Sequence, residues 1–385
     1  MNILYDLITP QAFVGGAGEY VRKVFYTLHD TIKEFGIDVK IFGLYNSRKK
    51  IFSYSDLDPT SISQLGVIPV DIADTTLKDV IANYNINKVF IGCAQYWNGL
   101  DLESIQCPVV CVTHDLDVEE YDRNKIDDYV CLGNFKNYLK YRFHVYRHGK
   151  KDLVNNLKIK KMLLTNSQAQ LITVSEYSKH SIMYNFGLSA DRIKVLYSPE
   201  RVIKSDLKID NSELKMIIDS GKKYILMIGA NRPFKNPFKA INAFEKYVEL
   251  VDKDVFLVTL GCKKKFFENQ IVLPYLSESD LTNAYANSYA LLFPSYFEGF
   301  GDPPIEAMKF GKPVFASNVT SIPEILGDAA IFFSPFYETE IFNALLKLTD
   351  DNYLEYSRKA FDRYAKVHLR QEKDLKQLVN IILQE

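Results

Sequence analysis

Two glutamates eight positions apart, Glu298 and Glu306, stand in the run FPSYFEGFGDPPIEAMKFGKPV between Phe293 and Val314. A carboxylate accepts two hydroxyl hydrogen bonds at once, so a pair of them suits a ligand rich in hydroxyls. Backbone N–H groups of the intervening loop, from Gly299 through Phe300 to Gly301, can donate to hydroxyls or phosphate oxygens. Arg232 and Lys235, three apart in GANRPFKN, add two cations at a strand-to-helix turn. Together with helix N–H groups they can neutralise a diphosphate, the plain alternative being two solvated basic residues beside a turn.

Two further clusters lie in the first half. Gly15-Gly16-Ala17-Gly18 opens a helix, and its glycines let backbone approach a phosphate or an acceptor closely, or simply make a flexible turn. It is not a dinucleotide fingerprint, because a G-x-G-x-x-G anchored on Gly16 needs glycine where Val21 stands, and hydride transfer is disfavoured. His114 follows an apolar run and reads either as a structural histidine or as a ligand contact at a strand's carboxyl end. Asp115-Leu116-Asp117 spells a D-x-D, a metal-holding pattern elsewhere, but the same spacing recurs at Asp56–Asp58 and Asp252–Asp254. With a basic clamp at hand, no obligatory metal is expected.

The elements that must hold these groups alternate between short apolar runs and amphipathic stretches, the signature of an α/β fold. Asn2–Ile8, Val39–Leu44, Lys88–Ala94, Pro108–Thr113, Leu171–Ser175 and Ile193–Tyr197 read as buried strands of one parallel sheet. After a turn from Pro10 to Gly18, Val21, Val24, Phe25, Leu28, Ile32 and Phe35 follow a helical period up to Gly36. Apolar density falls between Ser198 and Lys222, and a second set begins: Tyr224–Ile228, Val255–Leu260, Ala290–Pro294, Pro313–Ala316 and Ala330–Phe333. Asp302-Pro303 offers an N-cap and a first-turn proline for the helix carrying Glu306.

At 385 residues the chain exceeds what one hydrophobic core serves. The expected division is a Rossmann-like first domain over 1–200, a linker over 201–222, a second Rossmann-like domain over 223–367 and a closing helix over 368–385 that packs back toward the first domain. A net charge of -1 argues against a nucleic-acid partner. Five cysteines without a C-x-x-C pair read as reduced residues of a cytoplasmic protein, and MNILYDLITP reads as neither signal peptide nor membrane span. The 25 Tyr and 25 Phe beside a single Trp indicate an aromatic-rich core.

The spacing of Glu298 and Glu306, with the interior EGFGDPPIEAMKFGKPV, resembles the signature of retaining glycosyltransferase family 4. GGAGEYV, THD at 113–115, ITVSEYSKHSI at 172–182, IGANRPFKN at 228–236 and SIPEILGDAAIFFSP at 321–335 follow in the family's order, so the resemblance covers essentially the whole chain. It implies a GT-B architecture, two Rossmann-like domains facing each other across a cleft, and transfer of a sugar from a nucleoside-diphosphate donor to a hydroxyl of a glycan or lipid-linked acceptor. It further implies Glu298 on the sugar hydroxyls, Glu306 on the ribose, His114 on the donor sugar, and Arg232 with Lys235 on the diphosphate. Lys235 transfers more directly than Arg232, because the family's arginine spacing varies and Ala230 stands five before Lys235. Gly15, Gly16, Leu276, Ser295, Gly299, Phe300 and Gly301 complete the implied donor contacts, with no cofactor besides the donor. Asp302 departs from a usually apolar family position. A nucleotide-sugar epimerase, a sugar phosphorylase or a non-catalytic partner subunit are the other readings of the same architecture.

Charge reverses sharply in mid-chain: seven acids and two bases from Asp115 to Asp128, then nine bases and one acid from Lys136 to Lys161. Phe135, Leu139, Phe143 and Tyr146 fall on one helical stripe flanked by Lys136, Lys140, Arg142 and Arg147. Such a helix either lies on anionic lipid at the inner face of a membrane or buries its stripe in the domain.

Overall fold

The computed structural model describes residues 1–12, 15–49, 54–97, 99–120, 135–201 and 208–384. It divides into two units: residues 1–120, 142–201 and 370–385 form the first, and residues 121–141 with 202–369 form the second.

The first unit is built on seven strands: β1 (Asn2–Asp6), β2 (Lys40–Tyr45), β3 (Ile68–Asp71), β4 (Lys88–Ile91), β5 (Val109–Val112), β6 (Ala169–Thr173) and β7 (Ile193–Val195). They are ordered β3-β2-β1-β4-β5-β6-β7, and every pairing is parallel. The central strands β4 and β5 are buried at every position, as strands covered on both faces must be, and apart from Lys88 at the start of β4 they read as apolar runs rather than alternations. Leu4, Val89, Val109, Cys111 and Leu171 form the middle of this core.

Six parallel strands make the second sheet: β8 (Tyr224–Met227), β9 (Phe256–Leu260), β10 (Gln270–Leu273), β11 (Ala290–Phe293), β12 (Val314–Ser317) and β13 (Ala330–Phe333). Their order is β10-β9-β8-β11-β12-β13. The chain moves outward from β8 through β9 to β10, then returns to the other side of β8 at β11. That reversal leaves a crevice beyond the carboxyl ends of β8 and β11, the place where open α/β sheets take ligands. An analogous reversal separates β1 from β4 in the first sheet.

Several sequence expectations need correction. The first long helix begins at Gly16, inside the stretch read as a turn, and Gly36 closes it with φ 60 in the left-handed region. Phe35, assigned to its buried stripe, is 70% exposed, because the stripe ends a turn earlier. The helix Ile8–Ala12 overlaps the end of the predicted strand and the start of the predicted turn. The connecting stretch read as linker to residue 222 contains a helix, Ser212–Asp219, which buries Leu214 and Ile217. Asp210 and Asn211 ahead of it donate their N–H groups to Asp280, fastening this stretch to the second unit. The C-terminal helix starts at Asp350, well before Arg370. Its first half buries only Ala360 and Val367 among apolar side chains, which weakens the periodic signal there.

Residues 370–384 belong to the first unit, where their contacts are specific. Asp374 accepts the Tyr197 N–H at 2.9 Å, Gln371 donates to the Ser198 carbonyl at 2.7 Å, and the Arg370 guanidinium lies 3.7 Å from the Tyr197 ring centroid. The Lys88 ammonium, at the start of β4, donates to the carbonyls of Ile381 at 3.1 Å and of Gln384. A cation on the terminal carbonyls of a helix complements its dipole.

Candidate active site

The ends of β8 and β11, neighbours in the second sheet, carry the most densely tied polar group. After β8 the chain turns at Gly229, whose φ of 76 lies in the left-handed region, and a Cβ there would meet Lys235 Cγ at 3.4 Å. Arg232 precedes a single helical turn, Pro233–Lys235, and Asn236 follows with φ 52. Asn236 is buried, donates from Nδ2 to the Pro335 carbonyl at 2.9 Å, and caps the helix Pro237–Leu250, whose first position is a proline. This geometry turns Lys235 back toward the end of β11.

The loop after β11 meets it there. The Tyr296 N–H donates to the Phe234 carbonyl at 2.8 Å, tying the two strand-end turns together. Lys235 Nζ lies 2.5 Å from Glu298 Oε1, with only 12% and 11% of the two side chains exposed. The same ammonium sits 4.9 Å from the Phe293 ring centroid and 5.5 Å from that of Phe234, a second attraction for a cation with little water around it. Glu298 is held from behind: its N–H donates to Thr320 Oγ1 at 3.2 Å, and Ser321 Oγ donates to its carbonyl at 3.0 Å and to that of Phe300 at 3.3 Å. Thr320 takes a φ of 52, rare for a β-branched residue.

Gly301, with φ 92, caps the helix Asp302–Lys309. Asp302 therefore occupies the first helical turn rather than the N-cap expected of it, because only the preceding glycine adopts the left-handed conformation that this sharp entry requires. Glu306 lies on the buried side of that helix, and its Oε2 accepts the Tyr285 hydroxyl at 2.5 Å. Tyr285 comes from the helix Glu278–Asn287, and Leu276 precedes the N-cap of that helix, Ser277. The Ser295 hydroxyl is wholly buried with no hydrogen-bond partner. An orphan hydroxyl of this kind is costly unless something else meets it. Lys235, Glu298, Ser295, Gly299, Phe300, Gly301 and Glu306 thus share one region with Arg232. Sequence reasoning missed Tyr285 and Thr320, which carry no motif of their own; Asn236 lay within the quoted IGANRPFKN and Ser321 within SIPEILGDAAIFFSP, without a role assigned to either.

Gly15, Gly16 and His114 belong to the first unit. Gly15 is the N-cap of the helix Gly16–Phe35, with extended backbone and its N–H 3.3 Å from the Tyr54 hydroxyl. Glu19 in the first turn is buried and lies 3.6 Å from Arg22, which also binds Asp56 at 2.7 Å. Tyr20 of the same helix meets the His114 ring edge-on, centroids 4.7 Å apart. His114 Nε2 is 3.1 Å from the Gly92 carbonyl, which can only accept, so Nε2 carries the proton. Burial pushes the His114 pKa from 6.5 down to about 4, partly opposed by that bond. At neutral pH the ring is therefore uncharged, with Nδ1 as an acceptor.

The side chain of Asp117, the second acid of the D-x-D, lies outside the described residues; among the described ones no group of three or more His, Cys, Asp or Glu side chains is placed to hold a metal. Nor, among them, is any helix long and apolar enough to cross a membrane. Cys93, Cys107, Cys111 and Cys262 are free thiols, and Cys131 lies outside the described residues. So do residues 121–134 of the acidic stretch and the side chains of Phe135, Lys136, Lys140 and Arg142. The helix that follows runs from Phe135 to Thr165, and its Leu139, Phe143 and Tyr146 are exposed, not buried in the domain.

Residues 209–368 match the family model described as glycosyl transferases group 1. O-antigen chain mannosyltransferase B of Escherichia coli is 31% identical over 210 residues, 49% of this chain and 54% of that protein. O-antigen chain mannosyltransferase RfbU of Salmonella typhimurium is 31% identical over 179 residues, 43% of this chain and 46% of its own length. The chain thus spans about half the length of the curated relatives it matches. Among solved structures, Anabaena Alr3699/HepE in complex with UDP-glucose superposes with a TM-score of 0.67 at 14% identity, covering 99% of each chain. That likeness extends over both units and identifies the two parallel sheets as a GT-B fold. The matched stretch, residues 209–368, is similar to glycosyl transferases group 1 and contains Lys235 and Glu298 at the carboxyl ends of β8 and β11 and Glu306 on the helix that follows.

Proposed function

We propose that the protein is a retaining glycosyltransferase that moves a sugar, mannose in the first instance, from a nucleoside-diphosphate donor to a hydroxyl of a glycan or lipid-linked acceptor in polysaccharide assembly. The observation that carries this reading is the Lys235–Glu298 pair, a cation and a hydroxyl acceptor fixed side by side at the switch point of the second sheet. Mannose is suggested by the names of the two relatives.

In this reading Lys235 and Arg232 stabilise negative charge as the bond between the anomeric carbon and the diphosphate breaks. The acceptor oxygen bonds to that carbon from the same face, and its proton passes to an oxygen of the departing diphosphate. Glu298 accepts from the sugar hydroxyls and acts by positioning, not as a covalent nucleophile. Glu306, oriented by Tyr285, accepts from the ribose, while Gly299 to Gly301 and the Ser295 hydroxyl complete the sugar and phosphate contacts. No resident metal or cofactor enters, since the two cations carry the charge that a metal would supply.

The test is a thermal-shift and product screen across nucleoside-diphosphate sugars, mannose and glucose donors included, because a bound donor raises the unfolding temperature by mass action. One donor should stabilise the protein and be consumed with an acceptor, and Lys235→Ala should lower transfer at least ~100-fold, about 3 kcal/mol of transition-state stabilisation. Wild-type turnover in that variant removes Lys235 from the reaction. A new nucleotide sugar formed without acceptor would instead mark an epimerase.

A further inference from the structure

The helix Phe135–Thr165 is apolar on two opposite sides. One side, with Ile159, Met162 and Leu163, is buried in the first unit's core, where Asn155 also donates to the Ala94 carbonyl at 3.0 Å. The other carries Phe143, Tyr146, Leu153, Val154, Leu157 and Leu164, each between 45% and 66% exposed. At 3.6 residues per turn these six fall within an arc of about 100°, diametrically opposite the buried face and about 32 Å long. A helix docked on a core has no need of that second stripe, and contiguous exposed apolar surface of this extent marks a contact site.

Charge names the partner. Arg147, Lys151 and Lys158 run along one flank of the stripe and Lys150 lies within it; Lys160 and Lys161 are engaged by the first unit, the one donating to the Asn185 carbonyl at 3.3 Å and the other paired with Glu103. Lys150 folds over Tyr146, its ammonium 2.6 Å from the hydroxyl and 4.4 Å from the ring centroid, keeping its charge at the edge of the apolar surface. A second copy of the chain is a poor occupant, because a two-fold contact would set this cationic stripe against itself. A negatively charged surface with an apolar interior satisfies both components.

We infer that the face of this helix formed by Phe143, Tyr146, Leu153, Val154, Leu157 and Leu164 with its flanking lysines seats on an anionic phospholipid surface, the apolar side chains entering the acyl boundary and the cations meeting phosphates. The contact goes beyond sugar transfer and does not depend on it. It gives a peripheral anchor.

The test uses the full chain and no substrate, so a failure of the transfer reading leaves it unaffected. Co-sedimentation is measured with vesicles of phosphatidylcholine alone and of phosphatidylcholine mixed in equal parts with phosphatidylglycerol. Binding should require the anionic lipid and weaken with added salt. The triple variant Arg147→Gln, Lys150→Gln, Lys151→Gln should bind about 100-fold more weakly, near fivefold per cation. Phe143→Ser with Leu157→Ser should reduce binding at least tenfold while the melting temperature, reporting the untouched buried face, stays at the wild-type value. Either variant binding like wild type, equal binding to both vesicle types, or no binding to either overturns the inference. A wild-type dimer that the Phe143→Ser, Leu157→Ser variant dissociates would assign the stripe to a second copy and overturn it equally.

Discussion

Removing the charge of Glu298 while keeping its shape, as Glu298→Gln does, isolates what the Lys235 pair contributes to stability. At 2.5 Å the Coulomb attraction is about 7 kcal/mol at an effective dielectric of ~20 and about 1.7 kcal/mol in bulk water. Both side chains keep roughly a tenth of their exposure, so the desolvation already suffered by each offsets a large part of the first figure. The single variant leaves the Lys235 ammonium between the Phe293 and Phe234 rings without its counter-charge. A loss of about 3 kcal/mol is expected for Glu298→Gln and a similar loss for Lys235→Met. The double variant should recover much of this, because no uncompensated charge remains. A double-mutant cycle by calorimetry, following the transition of the second unit, should return a coupling of roughly 2–4 kcal/mol. Losses that add to within about 0.5 kcal/mol would refute the argument, since independent sites behave that way and a tight buried pair does not. Turnover should stay low in the double variant whatever its stability, which separates the pair's structural part from the role proposed for it toward the diphosphate.

Tyr285→Phe removes the hydroxyl that Glu306 accepts and should cost about 1–3 kcal/mol of stability. If Glu306 grips the ribose, donor KM should rise more than kcat falls, and an unchanged KM would argue against that contact. His114 has its folded pKa depressed to about 4, so the unfolded chain binds a proton first as pH falls from 6.5. Up to roughly 3 kcal/mol of stability, fully present above pH 6.5, should be lost as pH approaches 4, and His114→Gln, which keeps a donor for the Gly92 carbonyl, should flatten that part of the stability profile. Gly301→Ala should lower stability by about 1–2 kcal/mol, because φ 92 strains any L side chain, whereas the new Cβ would meet the Phe293 ring at an ordinary 3.6 Å. Gly301→Asn should lose less, and equal losses in the two variants would point to packing instead.

The centres of the buried strands were legible because each carries a run of apolar residues, and so were β7 and β13, which close one edge of each sheet; β3 and β10 at the opposite edges were not. β3 is interrupted by Pro69 and starts on the exposed Ile68, and β10 opens on Gln270 between FFEN and PYL, so neither presents an apolar run long enough to stand out. The signature around Glu298 and Glu306 located the loop and helix, yet neither partner of those glutamates could be read locally. Lys235 is 63 residues from Glu298, and Tyr285 is 21 from Glu306, brought in by adjacent strand ends and a neighbouring helix. The exposed second face of the Phe135–Thr165 helix was equally hidden, since periodicity reveals an apolar stripe but not which side the core takes.

The segment 370–384 has a consequence for the order in which the molecule can be assembled. Tyr197, Ser198 and Lys88 wait for Asp374, Gln371 and the carbonyls near Ile381, and Leu378, Val379 and Ile382 are buried. During synthesis the amino-terminal unit, although translated first, stays incomplete until the whole of the second has left the ribosome. The second unit is the one that can finish on schedule, and the unit carrying most of the helix Phe135–Thr165 matures after it, leaving that helix's exposed apolar stripe and an unclosed core together in need of protection for most of the chain's synthesis.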